Sequence, residues 1–279
     1  MKKVTYGILS TASIVGRFIQ GIRDSKNGDV RAICSRNIHK ARQKAREFMI
    51  DKAYDDYAQM LADDDLDVIY IATPNAKHFE MAKFFLEKKV PVFCEKPLAS
   101  NAKEVNELVR IAKENQVYFH EGLVSLYQPN YQVIKDNLHL VGNLRQVNVN
   151  FSKYSTRYDA FLRNENPTTF RLELSNGATM DLGVYCVYAA LDLLGKPDTV
   201  SASAAFADNG ADLSGGAVLG YKDFTAVLSY SKIGQSAIGS EIVGDSGAIK
   251  IGSISQYADI SLVKNGKEAL LLGIPDRAG

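Results

Sequence analysis

An apolar run, Val68-Ile69-Tyr70-Ile71, ends abruptly in Ala72-Thr73-Pro74-Asn75. A second short apolar run, Val90 to Cys94, ends as abruptly in Glu95-Lys96-Pro97. The residues between them, about His78 to Lys88, carry a helical pattern. Strand, helix and strand in that order make a parallel unit with polar residues at both strand ends. Open parallel sheets bind their ligands outside the carboxyl ends of the strands. Lys96, Glu95, His78 and Asn75 are therefore expected at one crevice.

The same alternation runs through the first 120 or so residues and predicts an α/β fold with a parallel sheet. Strands are expected at Val4–Leu9, Val30–Cys34 and Val117–Phe119. Helices are expected at Ile14–Arg23 behind Ser13, at Ile38–Phe48, at Tyr57–Ala62 and at Asn101–Asn115 behind Ser100. Ser13 and Ser100 are candidate N-caps. Asp63-Asp64-Asp65 reads as a solvated connection. Near Gly122 the pattern changes. Strands then dominate: Leu144–Phe151, Phe170–Leu174, Val200–Phe206, Ala217–Tyr221, Phe224–Tyr230, Ser240–Val243, Ala248–Ile251 and Ile260–Val263. Hairpin turns are expected at Tyr221-Lys222-Asp223 and Lys264-Asn265-Gly266-Lys267. One helix, about Met180 to Leu194, interrupts them and is closed by Gly195 and Pro197. The expected domains are residues 1–122, a doubly wound dinucleotide-binding sheet, and 123–279, an α+β unit with an open, predominantly antiparallel sheet.

A formal charge of +1, without a basic tail or Lys/Arg block, argues against a nucleic-acid partner. No apolar run approaches the roughly 20 residues of a membrane span. Cys34, Cys94 and Cys186 form neither a disulfide framework nor a metal-like spacing. His39, His120 and His139 do not cluster with His78, so no metal is expected. The chain reads as cytoplasmic.

After Gly7-Ile8-Leu9 come Ser10-Thr11-Ala12-Ser13 and then a helix. A dinucleotide site needs a tight turn that brings backbone N–H groups and a helix N-terminus to the pyrophosphate. The usual three-glycine pattern is not intact, because Leu9, Ser10 and Ala12 stand where glycine is wanted. Small residues still permit close approach, and the hydroxyls of Ser10, Thr11 and Ser13 can donate to phosphate. An ordinary strand-to-helix turn is the open alternative. At the end of the second strand, Cys34 is followed by Ser35-Arg36. An NAD site places a carboxylate here for the ribose hydroxyls. A guanidinium instead suits a 2′-phosphate, with Ser35 donating beside it. NADP is favoured, with NAD the alternative.

These residues resemble the Gfo/Idh/MocA family of NAD(P)-dependent oxidoreductases. The matching pieces are the turn from Gly7 to Ala12, Ile71-Ala72-Thr73-Pro74-Asn75 with His78, Cys94-Glu95-Lys96-Pro97, Leu144-Arg145-Gln146-Val147 and Met180-Asp181-Leu182-Gly183-Val184-Tyr185. Asp-x-x-x-Tyr, where Asp-x-x-x-His is commoner, looks most like the dimeric dihydrodiol dehydrogenase and anhydrofructose reductase branch. The resemblance implies a Rossmann domain followed by an open-faced sheet domain, and a cis Lys96-Pro97 peptide. It places Thr73, Pro74, Asn75, His78, Glu95 and Pro97 around the cofactor. For His78, a buried capping role is an equal alternative. Family members usually continue beyond Gly279, so the chain is either truncated or a shortened member.

Hydride transfer to or from a carbinol carbon also requires a proton on or off its oxygen, and the protein supplies that path. Lys96 fits as the acid/base. Asp181 and Tyr185, spaced i, i+4, share one face of a helix. Tyr185 can exchange a proton with the substrate oxygen, and Asp181 can orient Lys96 or accept from a substrate hydroxyl. The open alternative is a capping aspartate and a core tyrosine. Arg163 is a candidate cofactor contact, and Glu121 a further crevice residue. The expected function is an NADP-preferring oxidoreductase acting on a secondary alcohol or carbonyl of a sugar or similar polyhydroxylated small molecule. A non-catalytic NAD(P)-binding regulator and an enzyme that recycles its hydride are the rival readings. A homodimer through the open sheet is expected.

Overall fold

The computed structural model describes residues 3–63 and 65–271. The chain divides into two compact units, Met1–Gly122 and Leu123–Gly279.

In the first unit, β1 (Val4–Leu9), β2 (Gly28–Cys34), β3 (Lys52–Tyr54), β4 (Val68–Ile71), β5 (Val92–Glu95) and β6 (Phe119–Gly122) form one parallel sheet in the order β3-β2-β1-β4-β5-β6. The order reverses between β1 and β4, which opens a crevice at their carboxyl ends. The connections are α1 (Ile14–Ser25), α2 (Ile38–Glu47), α3 (Tyr57–Asp63), α4 (His78–Glu87) and α5 (Ala102–Asn115). Both faces of the sheet are covered. Ile8, Val15, Ile19, Ile33 and Tyr70 pack on one side; Leu9, Met60, Ile69, Phe85 and Leu108 pack on the other. Neighbours Ile8 and Leu9 serve opposite faces because strand side chains alternate. The near-continuous apolar run of β4 follows from burial on both sides.

Two expected caps differ in detail. Ser13 occupies the N-cap position of α1, but its side chain makes no capping bond. The N-cap of α5 is Asn101, whose side chain accepts from the Glu104 N–H at 3.0 Å. Ser100 stands one residue earlier and donates its own N–H to Glu104 Oε2 at 2.9 Å. The pair is a reciprocal capping box displaced by one residue.

The second unit is built on an eight-stranded sheet of β7 (Leu144–Ser152), β8 (Thr199–Phe206), β9 (Asp212–Gly220), β10 (Thr225–Ser231), β11 (Ser240–Gly244), β12 (Gly247–Ser253), β13 (Ala258–Lys264) and β14 (Lys267–Leu270). Its order is β14-β13-β12-β11-β7-β10-β9-β8. β7 and β10 pair in parallel, and the other pairs are antiparallel. α6 (Pro129–Asn137) and α8 (Val184–Leu194) pack their buried residues into the same core as Val147, Val149, Leu228 and Ile242. The short α7 (Tyr158–Leu162) has no buried residue. Asn265 and Gly266 both take positive φ in the β13–β14 turn, as a tight hairpin requires.

Phe170–Leu174 is not a strand. It forms two 3-10 turns, Thr168–Phe170 and Leu172–Leu174. Phe170 is fully buried while Leu172 stays exposed, so the alternating apolar pattern is met without strand pairing. The expected helix from Met180 is also interrupted. Thr179–Gly183 is a π-turn, and regular α-helix begins only at Val184. The segment Leu172–Leu194 has the length and hydropathy of a membrane crossing. It is nevertheless broken into 3-10, π and α pieces, with Cys186, Ala189 and Ala190 in the core. Met1, Lys2, Asp64 and residues 272–279 lie outside the described residues.

Candidate active site

The carboxyl edge of the parallel sheet gathers most of the sequence-predicted cofactor residues. After β1, Ser10 has a φ of 154°, a region that favours glycine. Its N–H donates to the Cys34 carbonyl at 3.0 Å, and its Oγ accepts from the Ala12 N–H at 2.9 Å. The turn is thus fixed by its own hydroxyl where a glycine would otherwise serve. Thr11 is half-buried, and Ala12 and Ser13 are exposed. Gly7 has a different task. A Cβ there would lie 2.7 Å from Leu66 Cδ1 and 2.9 Å from Ile69 Cδ1. Its missing side chain makes room for the core.

Beyond β2, Ser35 donates its N–H to the Tyr54 carbonyl at 3.1 Å, and Arg36 is exposed. Asn37 caps α2 by accepting from the N–H groups of His39 and Lys40. The nearby carboxylates come from the end of β3. Asp56 and Asp55 add to burial in pushing the Cys34 thiol up to about 12. Asp56 is itself engaged, accepting from the N–H groups of Ala58 and Gln59 at the start of α3.

One side chain stands between the two motifs that open the sequence. His78 is fully buried at the start of α4. Its Nδ1 lies 2.8 Å from the Pro97 carbonyl oxygen, and its Nε2 lies 2.9 Å from the Thr73 carbonyl oxygen. Burial lowers its pKa, partly offset by both carbonyls, and the Lys96 ammonium lowers it further. His78 therefore sits between the Thr73-Pro74-Asn75 turn and the Lys96-Pro97 turn, and as a neutral imidazole it donates to one of the two carbonyls. The Lys96–Pro97 peptide is cis, as the family resemblance implied. Pro74 is exposed, Pro97 is buried, and Asn75 and Lys96 are half-buried.

Two carboxyl groups flank Lys96. Glu95 Oε1 accepts from the Tyr70 hydroxyl at 2.6 Å, and Oε2 accepts from the Lys96 N–H at 3.3 Å. Glu121, level with Cys94 on β6, accepts from the Leu98 N–H at 3.1 Å. Burial raises the pKa of both, taking Glu121 to about 7. The Lys96 ammonium pulls each back down, while the charge of Glu95 pushes Glu121 up. Desolvation wins, as it does for carboxyls held in low dielectric.

The remaining predicted residues belong to the second unit. Asp181 lies in the π-turn, and its Oδ2 accepts from Lys232 Nζ at 2.8 Å. Tyr185 stands in the first turn of α8, half-buried, with its ring edge-on to Phe151 at 5.3 Å. The π-turn widens the backbone, so Asp181 and Tyr185 are not related by a plain α-helical turn. Arg163 is exposed and paired with Glu165 at 2.6 Å. Sequence reasoning did not identify Tyr70 or Lys232. Tyr70 was hidden in an apolar strand, where a hydroxyl gives no periodic signal. Lys232 was a lone lysine after a strand, like many that are solvated.

The family model for the oxidoreductase family with an NAD-binding Rossmann fold matches residues 4–123, and the GFO/IDH/MocA C-terminal domain matches residues 138–250. The fold and both halves of the sequence therefore define an NAD(P)-dependent oxidoreductase acting on CH–OH groups. The chain belongs to the Gfo/Idh/MocA family. The Escherichia coli (strain K12) oxidoreductase YgjR is 36% identical over 265 residues, covering 95% of this chain and 81% of the relative. The NADP(+)-dependent scyllo-inositol 2-dehydrogenase IolU of Bacillus subtilis (strain 168) is 36% identical over 273 residues, covering 98% and 83%. A trans-1,2-dihydrobenzene-1,2-diol dehydrogenase from Xenopus tropicalis is 30% identical over 270 residues, covering 94% and 79%. Among solved structures, a 3-ketoreductase from Actinomadura kijaniata in complex with NADP and TDP-benzene superposes with a TM-score of 0.85. It is 20% identical, covering 98% of this chain and 85% of that one, and so shares the fold.

Proposed function

We propose that this chain is an NADP(H)-preferring oxidoreductase that interconverts a secondary alcohol and a carbonyl on a sugar or similar polyhydroxylated small molecule. The observation that carries this is the setting of Lys96. It stands at the carboxyl end of β5, half-buried, between the carboxyl groups of Glu95 and Glu121. His78 sits between its turn and the Thr73-Pro74-Asn75 turn at the end of β4.

The residues present fit a dinucleotide. Ser10 holds a glycine-like conformation at the β1–α1 turn, and backbone strain of this kind collects at ligand sites. Ser10, Thr11, Ala12 and Ser13 would face the pyrophosphate, with Gly7 keeping the turn close-packed. Ser35 and Arg36 would hold the adenosine 2′-phosphate. Thr73, Pro74, Asn75, His78, Glu95 and Pro97 would frame the nicotinamide end, and Arg163 is a further candidate contact. IolU, similar along nearly the whole chain, is by name NADP(+)-dependent and acts on a polyol, which supports both cofactor and substrate class.

The nicotinamide supplies or accepts the hydride when bound. Lys96 gives a proton to the carbonyl oxygen in reduction and takes it back in oxidation. Tyr185 hydrogen-bonds the same oxygen, and Asp181 accepts from a substrate hydroxyl. The active form is a homodimer through the open sheet, located in the cytoplasm, where the buried thiols of Cys34, Cys94 and Cys186 stay reduced.

The test is a Lys96→Met variant assayed beside the wild type against a panel of sugars, polyols and ketones. Cofactor affinity is followed by nucleotide fluorescence. The wild type is expected to bind NADPH more tightly than NADH. Lys96→Met should keep NADPH affinity within a few-fold and lose about 100-fold or more in turnover, the size of a general acid–base contribution. Near-normal turnover in the variant removes Lys96 from the reaction.

A further inference from the structure

Lys232 follows β10 directly and is 1% exposed, in a buried set that is almost wholly apolar. Its backbone is fixed on both sides: its N–H donates to the Leu213 carbonyl at 2.9 Å, and its own carbonyl accepts from Ser155 at 2.8 Å. Its ammonium donates to Asp181 Oδ2 at 2.8 Å and to the Thr169 carbonyl at 3.0 Å. It also lies 4.9 Å from the Phe170 ring centroid. A cation in such a place is strongly attracted to its partners, because solvent neither competes with them nor screens them.

The two ends of this ion pair differ. The Lys232 side chain is 2% exposed, whereas that of Asp181 is 35% exposed. The pair therefore presents its anionic end outward on a cation that is itself sealed. A buried ion pair is weak evidence for stability, because apolar residues of the same volume commonly do as well. A carboxylate that stays reachable while its counter-ion is enclosed is suited instead to accepting a hydrogen bond from a ligand.

The turn that carries Asp181 is pinned two residues earlier as well. Asp212 Oδ2 accepts from the Thr179 N–H at 2.6 Å and from its hydroxyl at 2.7 Å. The Thr179 hydroxyl also lies 2.9 Å from the Tyr230 hydroxyl. Residues on β9 and β10 and the residue just beyond β10 thus set the geometry of the π-turn at Thr179 and at Asp181. Such turns occur frequently at functional sites.

We propose that Lys232 is a positioning residue of the reaction, which fixes the Asp181 carboxylate as a charged acceptor for a hydroxyl of the substrate. This rests on the oxidoreductase reading above and extends it. The carboxylate holds the buried ammonium and keeps 35% of its side chain exposed, where a hydroxyl beside the reacting carbon can donate to it. The arrangement favours vicinal polyols over simple alcohols, which bring no second hydroxyl.

The test compares the wild type, Lys232→Gln, Lys232→Arg, Asp181→Asn and the Lys232→Gln/Asp181→Asn pair. Probes are NADP(+) with scyllo-inositol and with any further polyol turned over by the wild type. Lys232→Gln should lower kcat at least tenfold and leave NADPH affinity within twofold, and Lys232→Arg should recover part of that loss. In the Asp181→Asn background, Lys232→Gln should change kcat less than twofold, because a residue acting through Asp181 has nothing left to act on. An unchanged kcat in Lys232→Gln, or an equal loss in both backgrounds, overturns the proposal. If Lys232→Gln alone does not fold, the doubly substituted protein carries the comparison, since it leaves no unpaired buried charge. It must match Asp181→Asn, and a further tenfold loss overturns the proposal. If the wild type turns over no member of the panel, it is the substrate reading that fails. The proposal is then read from the Asp181 side-chain carboxyl by carbon-detected magnetic resonance. Its titration should move upward in Lys232→Gln, and an unmoved titration overturns the proposal.

Discussion

Glu121 shows how one residue at the crevice couples folding to pH. Burial takes its carboxyl from the usual 4.5 to about 7. A carboxyl raised on folding holds more protons in the native than in the unfolded chain between those two values. Stability therefore falls as pH rises from 4.5 to 7, and the loss is complete above 7. The full cost is on the order of 3 kcal/mol, from the rise between those two values. Glu121→Gln keeps an oxygen to accept from the Leu98 N–H but does not ionise. Its melting temperature should lie close to the wild-type value near pH 4.5, exceed it increasingly through pH 7, and hold a constant lead by pH 8. A difference that does not change with pH would show that folding leaves the titration of this carboxyl unshifted. Residue chemistry at this crevice was partly legible. Lys96, Glu95 and Glu121 could be placed because each follows an apolar run that stops. Their partners could not. Tyr70 lies 25 residues from Glu95, and Lys232 lies 51 from Asp181. No local pattern links residues so far apart, because the contact exists only once the sheets have formed.

At the scale of elements, periodicity served well where one helix or strand meets one core. It failed where the apolar repeat had another cause. Phe170, Leu172 and Leu174 alternate like a strand, yet only Phe170 is fully buried, and two successive 3-10 turns produce the pattern. Asp181 and Tyr185 suggested a plain helical turn, but Gly183 packs against the Tyr230 ring, 3.0 Å from where a Cβ would stand, within a π-turn. Caps are harder to place than helices because neighbouring residues compete for the role. Both Ser100 and Asn101 can cap, and the geometry assigns the side-chain bond to Asn101. Asn101→Ala should cost about 1 kcal/mol, the usual value of a cap, and Ser100→Ala less, because it is Asn101 whose side chain accepts from the Glu104 N–H. Urea denaturation of the two variants measures this, and an equal or reversed order would show that the cap lies at Ser100.

At the scale of the molecule, fold class was the most legible feature. Alternating strands and helices dictate a parallel sheet, and a run of strands with one long helix dictates a sheet covered on one side. Association is less legible, because it depends on what the uncovered side carries. Across the second sheet, Leu219, Ala226, Val147, Ile242 and Ile249 lie in successive register and face the core. The adjoining row faces away from it: Ser201, Val218, Val227, Asn148, Glu241 and Lys250. Val218 is 46% exposed there, amid small and amide side chains that can pack closely against a second copy. A two-fold interface places one patch against itself, so a single substitution acts twice. A stable dimer needs roughly 800 Å² from each partner, which a sheet face of this extent can supply. Light scattering at micromolar concentration should give twice the chain mass for the wild type. Val218→Glu, which would set a carboxylate from each copy into that contact, should give the single mass without loss of secondary structure. A wild type already monomeric, or a Val218→Glu protein still dimeric, would mean that the open face is solvated and that association, where it occurs, uses another surface.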